Sequence, residues 1–266
     1  MTRWFAQSGY GVRFEWGLSG ARHVASGAAG VVIVDVLSFT TSVSVAVEAG
    51  THVLPYAWRD ETARDFAEQH DAALAVGRRQ VSEANPWSLS PAALQAAPFT
   101  ERLVLPSPNG STIAREVRAA ASSPVETSQP AGRQPVLVAG CLRNATATAR
   151  WLTAQGLATP DRPVAVIASG ERWPDGSLRP ALEDLLGAGG IIAALDSNGC
   201  GPLSPEAAAA AAAFRHTPDV PEAVRSCGGG KELIDGGFAE DVEIAIEIDQ
   251  AKGAAVLFDE AFVLST

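Results

Sequence analysis

Asp35 is a carboxylate set in an apolar run, Val31-Val32-Ile33-Val34-Asp35-Val36. An unpaired charge is costly to bury in such a place. Near the carboxyl end of a strand it is positioned for catalysis, since ligands of α/β sheets bind beyond those ends. The bland alternative is an aspartate that caps the next helix. A second acidic group, Glu183-Asp184, follows Glu171-Arg172 across one loop. Converging with Asp35, these carboxylates suit a hard divalent cation such as Mg²⁺, which keeps several waters and binds through one or two carboxylates plus phosphate. Carboxylates at a helix N-terminus also complement the macrodipole, so spacing leaves both readings open.

The complementary residues suit an anion. Asn109-Gly110-Ser111-Thr112 opens a helix after an apolar stretch, where free amides, a permissive glycine and hydroxyls make a phosphate cradle. Asn-Gly reads equally as a plain turn. Arg143-Asn144 holds the equivalent place in the next unit, Thr40-Thr41-Ser42 in the first, and Arg172 in the last. Guanidinium forks bind multiply charged anions bidentately. The same arginines, paired with Glu171, Glu183 or Asp184, would merely brace the loops. Cys227-Gly228-Gly229-Gly230 reads as an anion-holding nest or a simple turn.

Other chemistries are missing their residues. No Gly-rich stretch ends in Gly-Lys-Ser/Thr, and no Gly-x-Gly-x-x-Gly follows a strand. Asp35-Val36-Leu37 lacks the second aspartate of haloacid-dehalogenase-type phosphatases. No Cys-x5-Arg loop surrounds Cys141, Cys200 or Cys227. His23, His52, His70 and His216 are scattered away from the strand-end loops.

Repeated strand–loop–helix units must position these residues. Val31–Val36, Leu103–Leu105, Val136–Ala139 and Val164–Ala168 are expected strands, the first too uniformly apolar to be half exposed. Helices follow through Val43 to Ala49, from Ile113, from Ala145 to Gln155 and from near Leu182, with Gly50 and Gly156 as stops. Alternation of this kind predicts a three-layer α/β fold: a mostly parallel sheet, helices on both faces, and active-site loops sharing one cleft at the strand carboxyl ends. A single domain over residues 1–266 is expected, with a flexible segment at about 122–134 that contains Pro124, Pro130 and Gly132. Ser204-Pro205-Glu206 opens an alanine-rich helix, and Ala255–Phe258 is expected as a last, edge strand.

Composition narrows the class. At 266 residues, with 47% hydrophobic and 19% charged residues, the chain is globular and can bury a full core. A net charge of −10 argues against nucleic acid, which needs a basic face. No apolar stretch approaches the roughly 20 residues that cross a bilayer, and the N-terminus lacks a signal core. Three cysteines without metal spacing fit a reducing compartment, so a cytoplasmic location is expected.

The ordered set of loops resembles the 2-phosphosulfolactate phosphatase family. The matching pieces are Val34-Asp35-Val36-Leu37-Ser38-Phe39-Thr40-Thr41, Ser90-Pro91, Ser107-Pro108-Asn109-Gly110-Ser111, Leu142-Arg143-Asn144-Ala145, Gly170-Glu171-Arg172 and Leu182-Glu183-Asp184-Leu185 with Gly187-Ala188-Gly189. Weaker matches are Gly230-Lys231-Glu232-Leu233 and Gly237-Phe238-Ala239-Glu240-Asp241-Val242. The resemblance implies an Mg²⁺-dependent acid phosphatase that converts 2-phospho-3-sulfolactate to 3-sulfolactate and phosphate, a step towards coenzyme M. It also implies Asp35, Glu183 and Asp184 near the metal, with Asn109, Arg143, Asn144 and Arg172 around the anion. Three departures stand out. Ser38-Phe39 replaces the Arg-Ala of Asp-Val-Leu-Arg-Ala-Thr-Thr, Gly77-Arg78-Arg79-Gln80 replaces Gly-Glu-Arg-Gly, and Leu89-Ser90-Pro91 replaces Asn-Ser-Pro.

The expected partner is therefore a small anionic phosphorylated substrate, with a homodimer as an admissible assembly. Thr40, Thr41, Asn109, Gly110, Ser111, Arg143, Asn144 and Arg172 are the candidate substrate contacts. Asp35 or Glu171 would orient or deprotonate an attacking water, and an aspartyl-phosphate on Asp35 stays open. Three rivals remain. One is a phosphatase for another phosphorylated hydroxy acid, one a non-catalytic anion binder on a degenerate scaffold, and one a nucleotide or sugar-phosphate transferase.

Overall fold

The computed structural model describes residues 4–57, 61–122 and 134–266. Strand β1 is Val12–Trp16, followed by helix α1, Gly17–Val24. Strand β2, Gly30–Val34, is buried at every position. Val31 and Ile33 enter one apolar cluster and Val32 and Val34 another, because alternate strand side chains point to opposite faces. The uniform apolar run is thus a strand covered on both sides. One cover is built from α1, α2 (Phe39–Glu48) and, further along, the helix Gly110–Ser122, through Ala21, Val43 and Ile113.

Strand β3 is His52–Tyr56, helix α3 Glu61–Gln69, strand β4 Ala73–Leu74 and helix α4 Pro91–Ala96. Strand β5 is Arg102–Pro106, and α5 is that helix Gly110–Ser122. Strand β6, Val136–Gly140, leads to α6, Ala145–Ala154, and β7 is Val164–Ala168. A small hairpin of β8 (Glu171–Arg172) and β9 (Leu178–Arg179) precedes α7, Leu182–Ser197. Helices α8 (Pro205–His216), α9 (Val220–Ser226), α10 (Gly228–Asp235) and α11 (Ala239–Ala245) come next, then β10 (Ala254–Phe258) and β11 (Ala261–Ser265). Leu152 of α6, Ile191 of α7 and Ala210 of α8 build the second cover, on the Val32–Val34 face. The arrangement is a three-layer α/β fold.

Among the described residues, nine strands form one sheet, ordered β1-β7-β2-β6-β10-β11-β3-β5-β4. β2 pairs parallel with both β6 and β7, and Val34 stands level with Gly140 and Ala168. The loops after these three strands therefore leave the sheet at one height. The β10–β11 hairpin joins this parallel block to a second one, β3-β5-β4, through a single registered pair, Phe262 opposite Val53. Leu103 and Leu105 of the second block share a core with Val31 and Ile33 of the first, which brings the end of β5 over the end of β2.

Three expectations need correction. Strand β2 stops at Val34, so Asp35 is the first residue of the loop, where it is still buried. Ala254–Phe258 is an interior strand between β6 and β11. A further apolar strand, Ala261–Ser265, folds back on it and carries the pairing onward. The helix expected from Ile113 begins at Gly110, which makes Gly110, Ser111 and Thr112 its first turn. Within the segment expected to be flexible, residues 123–133 lie outside the described residues. Among the described residues, no helix is long and apolar enough to cross a membrane.

Candidate active site

The loop after β2 is folded by its own threonines. Thr40 Oγ1 donates to the Asp35 carbonyl at 2.8 Å, and Thr41 Oγ1 donates to the Val36 carbonyl at 2.7 Å. Both side chains are fully buried, and these hydroxyls hold the backbone of the loop. The tight loop places the Asp35 carboxylate over two backbone amides. Phe39 N donates to Oδ1 at 3.2 Å and Gly110 N to Oδ2 at 2.9 Å. Gly110 is required for this approach, since a Cβ there would lie 2.4 Å from the Phe39 ring. Asp35 therefore ties the end of β2 to the first turn of α5.

Three further carboxylates gather around it. Asp184, in the first turn of α7, accepts from Val36 N at 2.7 Å and Gly170 N at 2.8 Å, strapping the loop after β2 to the loop after β7. Glu183 is buried and accepts the Cys227 thiol at 3.1 Å. Gly229 leaves it room, because a Cβ at that position would stand 2.1 Å from Glu183 Oε1. Glu171 is partly exposed, and Asn109 Nδ2 donates to its Oε2 at 3.1 Å.

Burial and mutual repulsion lift the proton affinity of this group. Burial raises Asp35, against the Gly110 and Phe39 amides and the Arg78 charge, with Glu183 adding to the rise. Burial, then the charges of Asp35 and Glu183, push Asp184 well above the ordinary carboxylate range. Burial, then the Asp35 charge, carry Glu171 to about 7.

The arginines are sorted differently from expectation. Arg143 is only 4% exposed and turned away from this cluster. Its Nη2 donates to Glu48 at 3.0 Å, its Nη1 bonds Glu247, and its carbonyl receives Ala251 N at 2.8 Å. It braces α2 against the segment after α11, with partners other than the three acids named from sequence. Asn144, fully buried, accepts from Cys141 N and donates to the Ala139 carbonyl, closing the end of β6. Ser111 Oγ donates to the Leu105 carbonyl. Arg172 donates to the Gly176 carbonyl within its own exposed hairpin. Arg143, Asn144, Thr40, Thr41 and Ser111 thus build loops, whereas Asn109 and Gly110 reach the acids. Arg143→Ala should lower the urea midpoint by an amount worth about 1–3 kcal/mol, because it strands partly buried partners. KM should stay within about twofold of wild type. A large rise in KM with an unchanged midpoint would return Arg143 to the substrate.

Arg78, absent from the candidate site residues, is the arginine whose charge acts on Asp35. Its Nε donates to Asp241 at 2.9 Å, and its Nη2 donates to Ser38 Oγ at 2.5 Å. Asp241 is 1% exposed at the side chain and also accepts from Ser90 Oγ at 2.5 Å and Ala92 N at 3.2 Å. Two departures from the family pattern therefore touch one another. The guanidinium missing from position 38 is delivered to the same loop from position 78. Asp241 and Ser90 appeared in the sequence only as family pieces without a role. Their signal was an acid beside apolar Val242 in a helix, and a serine before a helix-opening proline.

The polar atoms of the cluster are of the kind that a hard cation takes. Its donors are carboxylate oxygens that repel one another, with the Arg78 charge acting on Asp35 and the Arg179 charge on Glu171. Among the described residues no three acid, histidine or cysteine side chains converge as a ready ligand set.

Beside the cluster opens a cavity of about 280 Å³, lined by Trp16, Asn109, Gly170, Glu171 and Leu178 among others. The cavity and the acids lie at the meeting of the ends of β2, β5 and β7, beside the first turn of α5. No curated protein matches the chain. The family model described as 2-phosphosulpholactate phosphatase matches residues 22–258, nearly the whole length, and the chain belongs to that family.

Proposed function

We propose that the chain is an Mg²⁺-dependent phosphoric monoester hydrolase that converts 2-phospho-3-sulfolactate and water to 3-sulfolactate and inorganic phosphate. The observation that supports this most is the gathering of Asp35, Glu171, Glu183 and Asp184 at the ends of β2 and β7, against the first turn of α5. Family membership supports the ester class. Asp35 with Glu183 or Asp184 would hold Mg²⁺, directly or through water, and the bound ion would neutralise phosphoryl oxygens. The amides of the α5 first turn and the guanidinium of Arg78 favour the same charge.

Glu171 is the proton acceptor in this reading. It is the one acid of the four that is partly open to the cavity, and an affinity near neutrality suits general base work. Water adds to phosphorus as the ester P–O bond breaks. Glu171 takes the proton from the water, and the departing oxygen leaves as a hydroxyl after uptake of a proton. Both Asp35 oxygens already accept amides, which favours water over Asp35 as the nucleophile.

The test is phosphate release from a panel of phosphorylated hydroxy acids with Mg²⁺ and after chelation. Release from 2-phospho-3-sulfolactate that stops on chelation is the expected result. Binding without release would favour the non-catalytic anion binder. Turnover that requires an added acceptor would favour a transferase.

A further inference from the structure

We propose that Arg78 holds a phosphoryl oxygen of the substrate and that Asp241 is the residue that positions it. This rests on the hydrolase reading for its substrate, while its support is the geometry around one buried acid. Asp241 lies in the first turn of α11 and is 1% exposed at the side chain. An acid that only complemented a helix dipole could do so from water. Asp241 instead takes three donors from other elements. Oδ1 accepts from Ser90 Oγ and from Ala92 N at 3.2 Å, both at the start of α4. Oδ2 accepts from Arg78 Nε at 2.9 Å. Ser90 is itself fixed, since Ala93 N donates to its Oγ at 3.1 Å. The carboxylate is clamped from the α4 side and presents one oxygen to Arg78.

That contact sets the direction of the guanidinium. Nε and Nη2 share one edge of the planar group, and this edge is occupied by Asp241 and Ser38 Oγ. Ser38 precedes Phe39, whose amide bonds Asp35, and the Arg78 charge acts on Asp35. The other edge, Nη1 with the second N–H of Nη2, has no partner among the described residues. Such a fork takes two oxygens of one phosphate.

A plain brace would look different. Arg143 is 5% exposed at the side chain and bonds Glu48, Glu247 and the Ile244 carbonyl. Arg78 is 19% exposed, and its Nη1 is not shut away from water as the Nε atoms of Arg13, Arg102 and Arg143 are. With Arg79, Glu232 and Phe238 it lines a cavity of about 490 Å³. That volume lies within the roughly 300–1,000 Å³ of small-molecule sites. On this wall Glu232 is paired with Arg179 and Arg78 with Asp241, so Arg79 leaves the balance positive.

The test joins turnover to the binding of inorganic phosphate, read by calorimetry with Mg²⁺ present. Asp241→Asn turns a donor towards Arg78 Nε and releases the guanidinium, so kcat and phosphate affinity should each fall by about tenfold or more. Arg78→Lys keeps the charge without the fork and should lose as much. In an Arg78→Ala background, Asp241→Asn should lower kcat no further, because it acts only through Arg78. If Asp241→Asn fails to fold, Ser90→Ala, which frees Asp241 on its α4 side, takes its place in that cycle. Losses of kcat that add in the double variant would overturn the positioning role. Unchanged kcat and phosphate affinity in Arg78→Lys would overturn the oxyanion contact. Phosphate binding that depends on both residues, without release from any ester, would overturn the hydrolase reading alone. Hydrolysis in the wild type that neither variant slows would overturn the roles of Arg78 and Asp241 alone.

Discussion

Asp35→Asn should lower Mg²⁺-dependent phosphate release by roughly 10³-fold or more while the protein stays folded. Asp35 is where the loop after β2 and the first turn of α5 are joined, and its charge lies within reach of three other acids. The amide keeps the shape and removes the charge. One of its two polar atoms is a donor, so either the Phe39 or the Gly110 amide loses its acceptor, at a cost of about 1–3 kcal/mol. Relief of repulsion from Glu171, Glu183 and Asp184 offsets part of that cost. Turnover with and without Mg²⁺, Mg²⁺ binding by calorimetry and urea unfolding check the three parts. Full activity in this variant would remove Asp35 from any essential role.

Glu171→Gln is expected to reduce kcat by about 10²–10⁴-fold and to abolish its own pH dependence. In wild type, kcat/KM should rise with pH and level off once Glu171, carried to about 7, has lost its proton. The variant should lack that limb. Stability should respond in the opposite sense. The folded-state affinity is raised from the ordinary glutamate value of about 4.5, so between the two values the native state holds a proton that the unfolded chain has released. The stabilising contribution is therefore complete below about pH 4.5 and is lost as pH rises through about 7. The shift corresponds to about 3 kcal/mol. Glutamine mimics the protonated form, so the variant should be more stable than wild type at pH 8 and equal to it at pH 4. A variant with an intact pH limb would transfer the proton-accepting role to another group.

Much of the fold was legible because it is written in local patterns. The run around Val31–Val34 reads as a doubly covered strand from its uniform β-branched character, and the two core clusters on its faces bear that out. Gly50 and Gly156 end α2 and α6 at positive φ, where a glycine pays no steric penalty. Ser204 caps α8 through the Ala207 amide, as the Ser-Pro-Glu opening suggests. Asp35, Glu171, Glu183 and Asp184 stand at strand ends and helix starts, and the sequence left open whether they meet or merely complement a helix. A mostly parallel sheet brings such places to one height.

What the sequence by itself determined, then, was the layered α/β scaffold, the strand ends and the acidic character of the site. The tertiary structure alone decided which polar groups face that site and which hold the loops that carry it. Arg143 and Arg78 look alike by composition, yet one is drawn to Glu48, 95 positions away, and the other to Asp241, 163 positions away. Thr40 and Thr41 satisfy backbone carbonyls five residues behind them, a choice that depends on the loop's curvature. Strand β10 is interior because the last strand returns beside it. The physical reason is common to all three. Local pattern sets which element a residue joins, through backbone preference and apolar period. The direction and partner of a polar side chain depend on which distant elements pack within hydrogen-bonding reach of it, and packing geometry alone settles that.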